Sequence, residues 1–396
     1  MKIAFLTAGG LAPCLSASIG ALIEHYTVIS PDAEFIGYLN GYQGLLHGNT
    51  LPFPESVKTQ YEVFYHYGGS PIGNSRVKLT NIEDCLKRGL VKEGKTPLHV
   101  AAEQLRKDKI DVLHTIGGDD TNTTAADLAA YLRENDYELT VVGLPKTVDN
   151  DVFPITQSLG AWTAAEQGAR FFTNIANENT TSSRQLIIHE VMGRNCGWLT
   201  AATAADYRKS LSAWDFFPDV MLRQERWDID SVWIPEIPID LDTEAERLRE
   251  NMDRNGGATV FVSEGAGGET IVQDLEKEGI AIPHDAFGHV RMDEINVGQW
   301  FGKQLAKRLN AEKVLVQKSG YFARSAAPNA RDLELIKRSA VAAADSALKG
   351  VSGVAGLDDD NDSKMGIIEF PRIKGGKPFN INEPWFTGML KEIGQT

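Results

Sequence analysis

Short apolar runs alternate along the chain with longer stretches in which apolar residues recur at helical spacing. The first half contains the strand-like runs KIAFLT, AEFIGYL, IDVLHTIGG and ELTVVGLP and the helix-like stretches LSASIGALIEHY, LHVAAEQLRKDK and TAADLAAYLREN. Because strands that alternate with helices form parallel sheets covered on both faces, this order predicts an α/β fold. The loops that follow such strands meet at one edge of the sheet, where active sites lie.

The second half repeats the alternation. Strand-like runs open the segments RQLIIHEVMG, SVWIPEIPI, GATVFVSEGAG and VLVQKSGYFARS, and helices are predicted for GWLTAATAADYR, TEAERLRENMDRN and RDLELIKRSAVAAADSALKG. LDDDNDS is interpreted as a solvated turn, because it lacks the glycine and the distal glutamate of an EF-hand loop. At 396 residues the chain has room for more than one α/β domain.

Composition narrows the classes of function. The net charge of −14 argues against nucleic acid as a partner. No apolar run approaches the roughly 20 residues of a membrane span, and MKIAFLTAGG enters a glycine loop directly, so we expect a buried strand there and neither a membrane anchor nor a signal peptide. Cys14, Cys85 and Cys196 are too scattered for a disulfide framework or a zinc site, which favours a cytoplasmic location.

Two adjacent carboxylates, Asp119 and Asp120, follow the predicted strand IDVLHTIGG. Like charges at a strand end repel each other unless a cation lies nearby. Magnesium bound to phosphate oxygens is such a cation, since it takes one or two carboxylates and keeps its own waters. The alternative is a solvated loop in which Thr121 or Thr123 caps the next helix.

A second polar cluster, PKTVDND, follows the next predicted strand, ELTVVGLP. Asp149 or Asp151 could take the proton of an attacking hydroxyl, and Thr147 could donate a hydrogen bond. Lys146 could place a point charge on a transferring phosphoryl group. A turn rich in Asn and Asp is the alternative, but it explains neither the lysine nor the acidic pair one strand away.

The first glycine loop, TAGGLAPC, could bring Gly10 close to a phosphate or could be a simple tight turn. It is neither the six-position dinucleotide fingerprint nor a P-loop ending in Gly-Lys-Ser/Thr, which argues against a nicotinamide dehydrogenase.

The segments GGDDT, PKTVDND, EVMGRNCGW and GYFARS together resemble the phosphofructokinase family in order and spacing, up to the helix that begins near Arg331. GGD alone also occurs in other kinases, such as NAD kinases. The resemblance implies two Rossmann-like three-layer domains with the active site in the cleft between them. Residues 1–160 with about 322–374 would bind the phosphoryl donor and Mg²⁺, and residues 161–321 with about 375–396 would bind the sugar phosphate. The implied reaction is phosphoryl transfer to the 1-hydroxyl of fructose 6-phosphate.

Two positions bear on the donor. ATP-dependent members usually read GGDG and PGT where this chain has Asp120 and Lys146, and this pair resembles the pyrophosphate-dependent branch. A carboxylate at Asp120 would occupy the place of the nucleotide α-phosphate and exclude ATP. Lys146, which replaces the glycine of PGT, would neutralise negative charge on pyrophosphate. We expect a reversible reaction, since a phosphoanhydride without a nucleotide has a modest driving force.

The resemblance assigns further roles. Asp119 would coordinate magnesium and Asp149 would be the general base, with Thr147 and Asp151 in support. The residues implied to bind substrate are Gly10, Arg76, Met192, Gly193, Arg194, Glu264, Tyr321 and Arg324. Arg76 would bridge the two phosphates and Glu264 would accept hydrogen bonds from the sugar.

Some positions depart from the family pattern. Leu11 and Cys14 replace the common Asp and Gly of the first loop. Gly20 and Glu24 stand where bacterial ATP-dependent members carry effector-binding arginines, so no allosteric control by that route is expected.

Family members also borrow cations from a neighbouring subunit, which implies a homodimer or homotetramer. Gln185 matches the borrowed arginine and Arg184 is its neighbour; Lys313 or Lys318 could supply a second cation. An ATP-dependent 6-phosphofructokinase, a kinase acting on sedoheptulose 7-phosphate and a regulatory subunit of the same fold remain alternatives.

Overall fold

The computed structural model describes residues 1–280 and 295–395. The strands, in chain order, are β1 Lys2–Ala8, β2 Glu34–Tyr38, β3 Thr50–Pro52, β4 Asn74–Ser75, β5 Val112–Gly117, β6 Thr140–Pro145, β7 Gln185–Val191, β8 Ser231–Trp233, β9 Gly257–Ser263, β10 Lys313–Lys318, β11 Gly353–Asp358 and β12 Lys364–Ile368.

The α-helices, in chain order, are α1 Leu15–Ile29, α2 Tyr42–His47, α3 Val57–Gln60, α4 Ile82–Lys87, α5 Pro97–Asp108, α6 Asp119–Glu134, α7 Ala161–Ile175, α8 Trp198–Leu211, α9 Gln224–Trp227, α10 Leu241–Asn255, α11 Gly268–Lys277, α12 Val297–Arg308, α13 Gly320–Arg324, α14 Ala330–Leu348 and α15 Pro384–Glu392. Short 3₁₀ helices span Tyr61–His66, Ala176–Thr181, Pro218–Val220, Asp359–Asn361 and Phe370–Arg372. None of the helices in residues 1–280 and 295–395 is long and apolar enough to cross a membrane.

The chain divides into two compact units. Unit 1 comprises Met1–Thr163 and Arg324–Lys377, and unit 2 comprises Ala164–Ala323 and Pro378–Thr396. The chain thus leaves unit 1 and returns to it. Which ligand each unit binds stays a prediction.

Unit 1 is built on a sheet in the order β12-β11-β6-β5-β1-β2-β3, with β4 paired to β1. The central pairs are parallel, as the alternating pattern predicts. Both edges depart from that prediction, because β3 and β12 run antiparallel to their neighbours. β12 follows β11 through a short connection, which only an antiparallel pair can use, whereas the connection from β2 to β3 contains α2. The LDDDNDS segment forms the turn between β11 and β12, as expected.

Side chains of β1 alternate between two apolar layers. Ala4 and Leu6 lie in a core cluster with residues of α2, α5 and α6. Phe5 points to the opposite face, where its ring stacks on Phe35 at 5.7 Å. Tyr26 of α1 packs on the same face. A strand buried on both faces reads as a continuous apolar run, which is why KIAFLT is uniformly apolar after its lysine.

Unit 2 contains the parallel sheet β10-β7-β9-β8. Ile187 and Phe261 face a cluster that includes α8 and α15. Leu186 and Val260 face the other side, against α10 and α12. The strand predicted from SVWIPEIPI is shorter than expected: β8 ends at Trp233, just before Pro235, which has no N–H to donate to a ladder.

The strand order of unit 1 reverses at β1. The chain proceeds from β1 outward to β2 and then returns to β5 on the other side of β1. At such a switch point the loops beyond the carboxyl ends of neighbouring strands diverge and leave a crevice. The loops that start here carry Gly9 and Gly10 after β1, Asp119 after β5 and Lys146 after β6.

Candidate active site

The residues predicted for the site fall into two groups that are described separately. The unit 1 cluster comprises Gly10, Arg76, Asp119, Asp120, Lys146, Thr147, Asp149 and Asp151. The unit 2 cluster comprises Met192, Gly193, Arg194, Glu264 and Tyr321. Arg324 belongs to unit 1 by its contacts and is the last residue of α13.

The first glycine loop is fixed by β4. Gly9 has a φ of +85° and donates its N–H to Ser75 O at 2.9 Å. Asn74 Nδ2 donates to Gly9 O at 3.3 Å. Because Arg76 directly follows β4, this pairing places the exposed residue beside the loop; its role as a phosphate contact stays a prediction.

Lys146 is the buried cation of the unit 1 cluster. Its side chain is 4% exposed, and its Nζ donates to Gly10 O at 2.6 Å. Burial lowers the pKa of Lys146, and the charge on Arg76 acts in the same direction; the Asp149 and Asp119 carboxylates oppose the shift. The lysine is therefore tied to the loop after β1, although it follows β6.

Cys14 precedes α1 and packs against this region. Its thiol donates to Leu159 O at 3.2 Å, and burial raises the pKa of the thiol above its usual range. A neutral buried thiol is a packing group, so the position that departs from the family pattern offers no charge to a phosphate.

Helix α6 begins at Asp119, with Gly118 before it as the capping residue. The alternative in which Thr121 or Thr123 caps the helix is therefore wrong. Both aspartates lie in the first turn, where the helix dipole stabilises negative charge.

Asp120 also forms an ion pair with Lys78. The distance from Lys78 Nζ to Asp120 Oδ1 is 2.7 Å, and the two side chains are 46% and 63% exposed. The helix terminus and Lys78 offset the repulsion that two adjacent carboxylates would otherwise cause.

The turn after β6 holds Asp149 through Thr147. Thr147 Oγ1 donates to Asp151 Oδ1 at 3.1 Å and accepts the Asp149 N–H at 3.1 Å. Asn150 between them has a φ of +58°, and its Oδ1 accepts the Ser158 N–H at 2.8 Å. The turn is thus an ordered structure, which is what a base must have to meet a hydroxyl in one orientation.

The charge of Asp119 acts on Asp151. Burial raises the pKa of Asp151 above its ordinary value, and the negative charge of Asp119 raises it further. Within residues 1–280 and 295–395 no group of three or more His, Cys, Asp or Glu side chains could hold a metal ion alone. A metal ion at this cluster would have to take one or two carboxylates, such as Asp119, and complete its shell with other ligands.

The unit 2 cluster is built around two glycines. Gly193 has a φ of +122°, and a Cβ there would lie 2.4 Å from Cys196 O. Its N–H donates to Glu264 Oε1 at 3.4 Å, and Ser263 Oγ donates to its carbonyl. A Cβ on Gly265 would lie 1.7 Å from Arg194 O. A larger residue at Gly265 would separate the loops after β7 and β9, and one at Gly193 would distort the loop after β7.

Glu264 stands at the end of β9, half-buried. Burial raises the pKa of its carboxyl above the ordinary value, while the Gly193 N–H, the Arg194 guanidinium and Lys318 oppose the shift. A carboxylate held by a backbone N–H can accept hydrogen bonds from hydroxyl groups, in line with the role expected for it.

Tyr321 and Arg194 are exposed. The Tyr321 side chain is 80% accessible, and Arg194 is also on the surface of unit 2. Tyr321 and Arg324 lie on one turn of α13, and Gly320 before them approaches Met192 closely enough that a Cβ would lie 3.1 Å from its sulfur. Exposure leaves Tyr321 and Arg194 accessible to a ligand, whereas Arg324 is half-buried.

The cations considered for a neighbouring subunit have partners within unit 2. Arg184 donates from Nε to Asn310 O at 2.7 Å and from Nη2 to Leu309 O at 2.6 Å, and its Nη1 pairs with Asp253. These contacts hold the guanidinium in its own unit. Gln185, the direct match, is buried at the start of β7.

The two lysines considered for the same role differ in their surroundings. Lys313 donates to Thr181 Oγ1 at 2.8 Å. Lys318 pairs with Glu190 at 2.8 Å. Its positive charge partly offsets the rise that burial causes in the pKa of Glu264. Lys318 is therefore the lysine that acts electrostatically on the unit 2 cluster.

The face of α1 considered for effectors is covered within unit 1. Glu24 accepts a hydrogen bond from the Tyr65 hydroxyl at 2.5 Å and pairs with Lys337 at 3.1 Å. A Cβ on Gly20 would lie 2.7 Å from Phe64 Cβ. Aromatic packing occupies this surface, and the expectation that no anionic effector binds there stays a prediction.

Comparison with known proteins assigns the family. A family model described as Phosphofructokinase matches residues 2–347. The chain belongs to the phosphofructokinase family. The resemblance inferred from GGDDT, PKTVDND, EVMGRNCGW and GYFARS is thereby confirmed.

Relatives of this phosphofructokinase family member carry a more specific name. A protein of Methylomonas methanica named pyrophosphate–fructose 6-phosphate 1-phosphotransferase is 60% identical over 394 residues, which cover 100% of this chain and 96% of that protein. A protein of the same name from Propionibacterium freudenreichii subsp. shermanii is 56% identical over 394 residues, covering 100% and 98%.

The fold agrees with solved structures of the family. A pyrophosphate-dependent phosphofructokinase from Nitrosospira multiformis matches with a TM-score of 0.72 at 19% identity, covering 99% of this chain and 90% of that chain. The α/β fold class expected from the alternating pattern is confirmed.

Three residues of this phosphofructokinase family member were missed by the sequence analysis. Lys78 pairs with Asp120, Glu190 pairs with Lys318 and accepts the Gly298 N–H at 2.8 Å, and Gly375 lies against Asp119. Lys78 follows Arg76 closely and Gly375 belongs to a glycine pair, so both had a local signal. Their partners are distant in sequence, and no local pattern names them.

Proposed function

We propose that this protein transfers a phosphoryl group reversibly between pyrophosphate and the 1-hydroxyl of fructose 6-phosphate, giving fructose 1,6-bisphosphate and phosphate. The observation that carries the proposal is the pair Asp120 and Lys146 at the switch point of unit 1, one held by Lys78 and the other by Gly10 O. The names of relatives at 56–60% identity support the same reaction.

Donor choice rests on volume as well as charge. The ion pair with Lys78 reduces the net charge of Asp120, but the side chain still fills space that a nucleotide would need. Lys146 adds a buried cation whose donors can reach pyrophosphate oxygens. Together they favour a compact, highly charged donor over ATP.

Pyrophosphate would be held in unit 1 by Gly10, Arg76 and Lys146. Asp119 would hold Mg²⁺, which neutralises charge on the phosphate oxygens. Burial lowers the pKa of Lys146, and the Asp149 and Asp119 carboxylates oppose that shift, so they favour the charged form that would stabilise developing negative charge.

Asp149 would accept the proton of the attacking 1-hydroxyl. Thr147 holds the backbone N–H of Asp149 and donates to Asp151, so Thr147 and Asp151 orient the base. In the reverse direction protonated Asp149 returns the proton to the leaving hydroxyl oxygen.

Fructose 6-phosphate would be bound by unit 2 together with Arg324. Glu264 would accept from sugar hydroxyls, and Met192 with Gly193 would shape the pocket. Arg194, Tyr321 and Arg324 would hold the 6-phosphate. The two arginines would supply the local positive charge that an acidic chain needs to bind an anionic substrate. We extend the proposal to a cytoplasmic homodimer or homotetramer.

The test is an assay of the purified protein with fructose 6-phosphate and Mg²⁺, supplied with pyrophosphate or with ATP. Turnover with pyrophosphate and little with ATP is expected. Turnover with ATP alone would overturn the donor assignment and favour an ATP-dependent kinase. Turnover with neither donor would overturn the proposed reaction. An assay with sedoheptulose 7-phosphate as the acceptor would then distinguish a kinase for that sugar, which turns it over, from a regulatory subunit, which does not.

A further inference from the structure

Gly375 lies directly against the carboxylate of Asp119. A Cβ built on Gly375 would lie 1.8 Å from Asp119 Oδ2, 2.7 Å from its Cγ and 3.0 Å from its Cβ. Only glycine allows the backbone to approach so closely. Gly376 differs: its φ is +76°, and a Cβ there would meet nothing within 4 Å. Gly376 turns the chain, whereas Gly375 makes room for the carboxylate.

Backbone hydrogen bonds hold the Gly375 loop in place. Phe153 and Lys374 exchange bonds of 2.8 and 2.9 Å, and the Lys377 N–H donates to Asp151 O at 2.9 Å. Lys377 Nζ donates to Ile155 O at 2.7 Å. The loop is therefore tied on both sides of Gly375 to the segment that follows the Asp149 turn, so its position over Asp119 is defined by that segment.

This loop lies outside the region that matches the family model, which ends at residue 347. The chain beyond that point adds β11 and β12 next to β6, and the 3₁₀ helix Phe370–Arg372 packs against α6. The helix that begins with Asp119 is thus contacted by a segment beyond the residues that the family model matches.

We propose that Gly375 is a positioning residue for Asp119 and thereby sets the affinity for magnesium pyrophosphate; this inference rests on the proposed function. The backbone at Gly375 limits the orientations open to the Asp119 carboxylate, so the group is ordered before a metal binds. Gly375 need not touch the metal or the substrate, because it acts through the carboxylate.

The test compares Gly375→Ala with Gly366→Ala. Gly366 lies in β12 of the same unit, and a Cβ there would meet nothing within 4 Å. Calorimetric titration with magnesium pyrophosphate, without sugar phosphate, measures binding in the absence of turnover. We expect about tenfold weaker binding for Gly375→Ala, the lower end of the loss typical for groups that orient a metal ligand, and no change for Gly366→Ala.

Stability should separate the effect from misfolding. Rotation of the Asp119 carboxylate relieves its contact with the new methyl group, but the contact with Asp119 Cβ at 3.0 Å remains, so we expect only a small fall in the Tm of Gly375→Ala. In steady-state assays the Mg²⁺ concentration for half-maximal rate should rise while the KM for fructose 6-phosphate does not. Wild-type affinity of Gly375→Ala for magnesium pyrophosphate would overturn the inference.

A double-mutant cycle supplies the second criterion, and it holds even if Gly375→Ala is less stable. If Gly375 acts through Asp119, Gly375→Ala should weaken the binding of magnesium pyrophosphate only slightly further in a protein that already carries Asp119→Asn. Fully additive losses would assign the effect to the fold and overturn the inference. Wild-type protein that binds magnesium pyrophosphate without phosphorylating fructose 6-phosphate would overturn the proposed function alone. Absence of binding to the wild type would overturn both.

Discussion

The two clusters are ordered by different means. In unit 1, charged side chains are held by specific partners: Lys146 by Gly10 O and Asp120 by Lys78. In unit 2, the backbone is held by close glycine contacts, while Arg194 and Tyr321 lie exposed. Under the proposed function, this difference suits a small polyanion at the unit 1 cluster and a larger sugar phosphate at the unit 2 cluster, since fixed charges would select the first and shape the second.

The largest effect should follow from removing the base in unit 1. Asp149→Ala is expected to lower kcat by about 10²- to 10⁴-fold, the usual contribution of general base catalysis. Pre-steady-state and steady-state rates with pyrophosphate measure it, and circular dichroism confirms that the fold persists. Asp151→Asn is the matched control and should lose less, since Asp151 acts through Thr147. Full activity in Asp149→Ala would refute its assignment as the base.

The buried lysine comes next. Lys146→Met keeps most of the side-chain volume but removes the charge, and kcat/KM for pyrophosphate should fall by about 10²- to 10³-fold, as for other preorganised electrostatic groups. Lys92→Met, at an exposed position, should leave the kinetics unchanged. An equal loss in both variants would mean that net charge matters and not the location of Lys146.

The backbone order of unit 2 can be broken at Gly193. Gly193→Ala places a Cβ 2.4 Å from Cys196 O at a φ of +122°, so we expect a loss of about 1–3 kcal/mol in unfolding free energy. The KM for fructose 6-phosphate should rise while that for pyrophosphate changes little. Gly388→Ala in α15, where a Cβ meets nothing within 4 Å, is the control. Equal changes in both KM values would remove the distinction between the two clusters.

Glu264 gives the unit 2 cluster a distinctive pH dependence. Because burial raises the pKa of Glu264, its protonation on acidification should weaken sugar binding at a less acidic pH than an ordinary glutamate would. Folding stability has the opposite sign: a raised folded pKa favours the neutral form, so the stabilisation is present below the unfolded pKa and is lost as pH rises through the folded one. The KM for fructose 6-phosphate measured against pH should lose this step in Glu264→Gln. A step that persists there belongs to another group.

The smallest effect concerns the exposed pair of unit 1. Lys78→Met and Asp120→Asn should show a coupling of only about 0.2–1 kcal/mol in a cycle on unfolding free energy, because both side chains are largely solvated. Asp120→Gly should nevertheless raise the ratio of ATP to pyrophosphate turnover, since it removes volume. If Asp120→Gly leaves the ratio of ATP to pyrophosphate turnover unchanged while Lys78→Met alters it, Lys78 and not Asp120 would be the group that selects the donor.

The sequence predicted the elements better than their limits. Periodicity located the central strands because a strand buried on both faces must be apolar throughout, as KIAFLT and ELTVVGLP are. The apolar pattern predicted that β8 would continue past Trp233, because the following segment IPEIPI is largely apolar; that segment does not form strand hydrogen bonds. The pattern also missed the antiparallel edges β3 and β12, whose short, partly exposed runs carry little periodic signal.

Residue chemistry determined which groups could act, and the folded chain decided what surrounds them. Asp119, Asp120, Lys146 and Asp149 indicated phosphate chemistry, because each loop follows a strand of one sheet, and the resemblance of four segments to the phosphofructokinases implied the phosphoryl transfer. That Lys78 neutralises Asp120 and that Gly375 confines Asp119 depended on contacts between segments distant in sequence. Side-chain identity is a local property, whereas pairing, burial and the resulting pKa shifts depend on which distant residues the fold brings within a few ångströms.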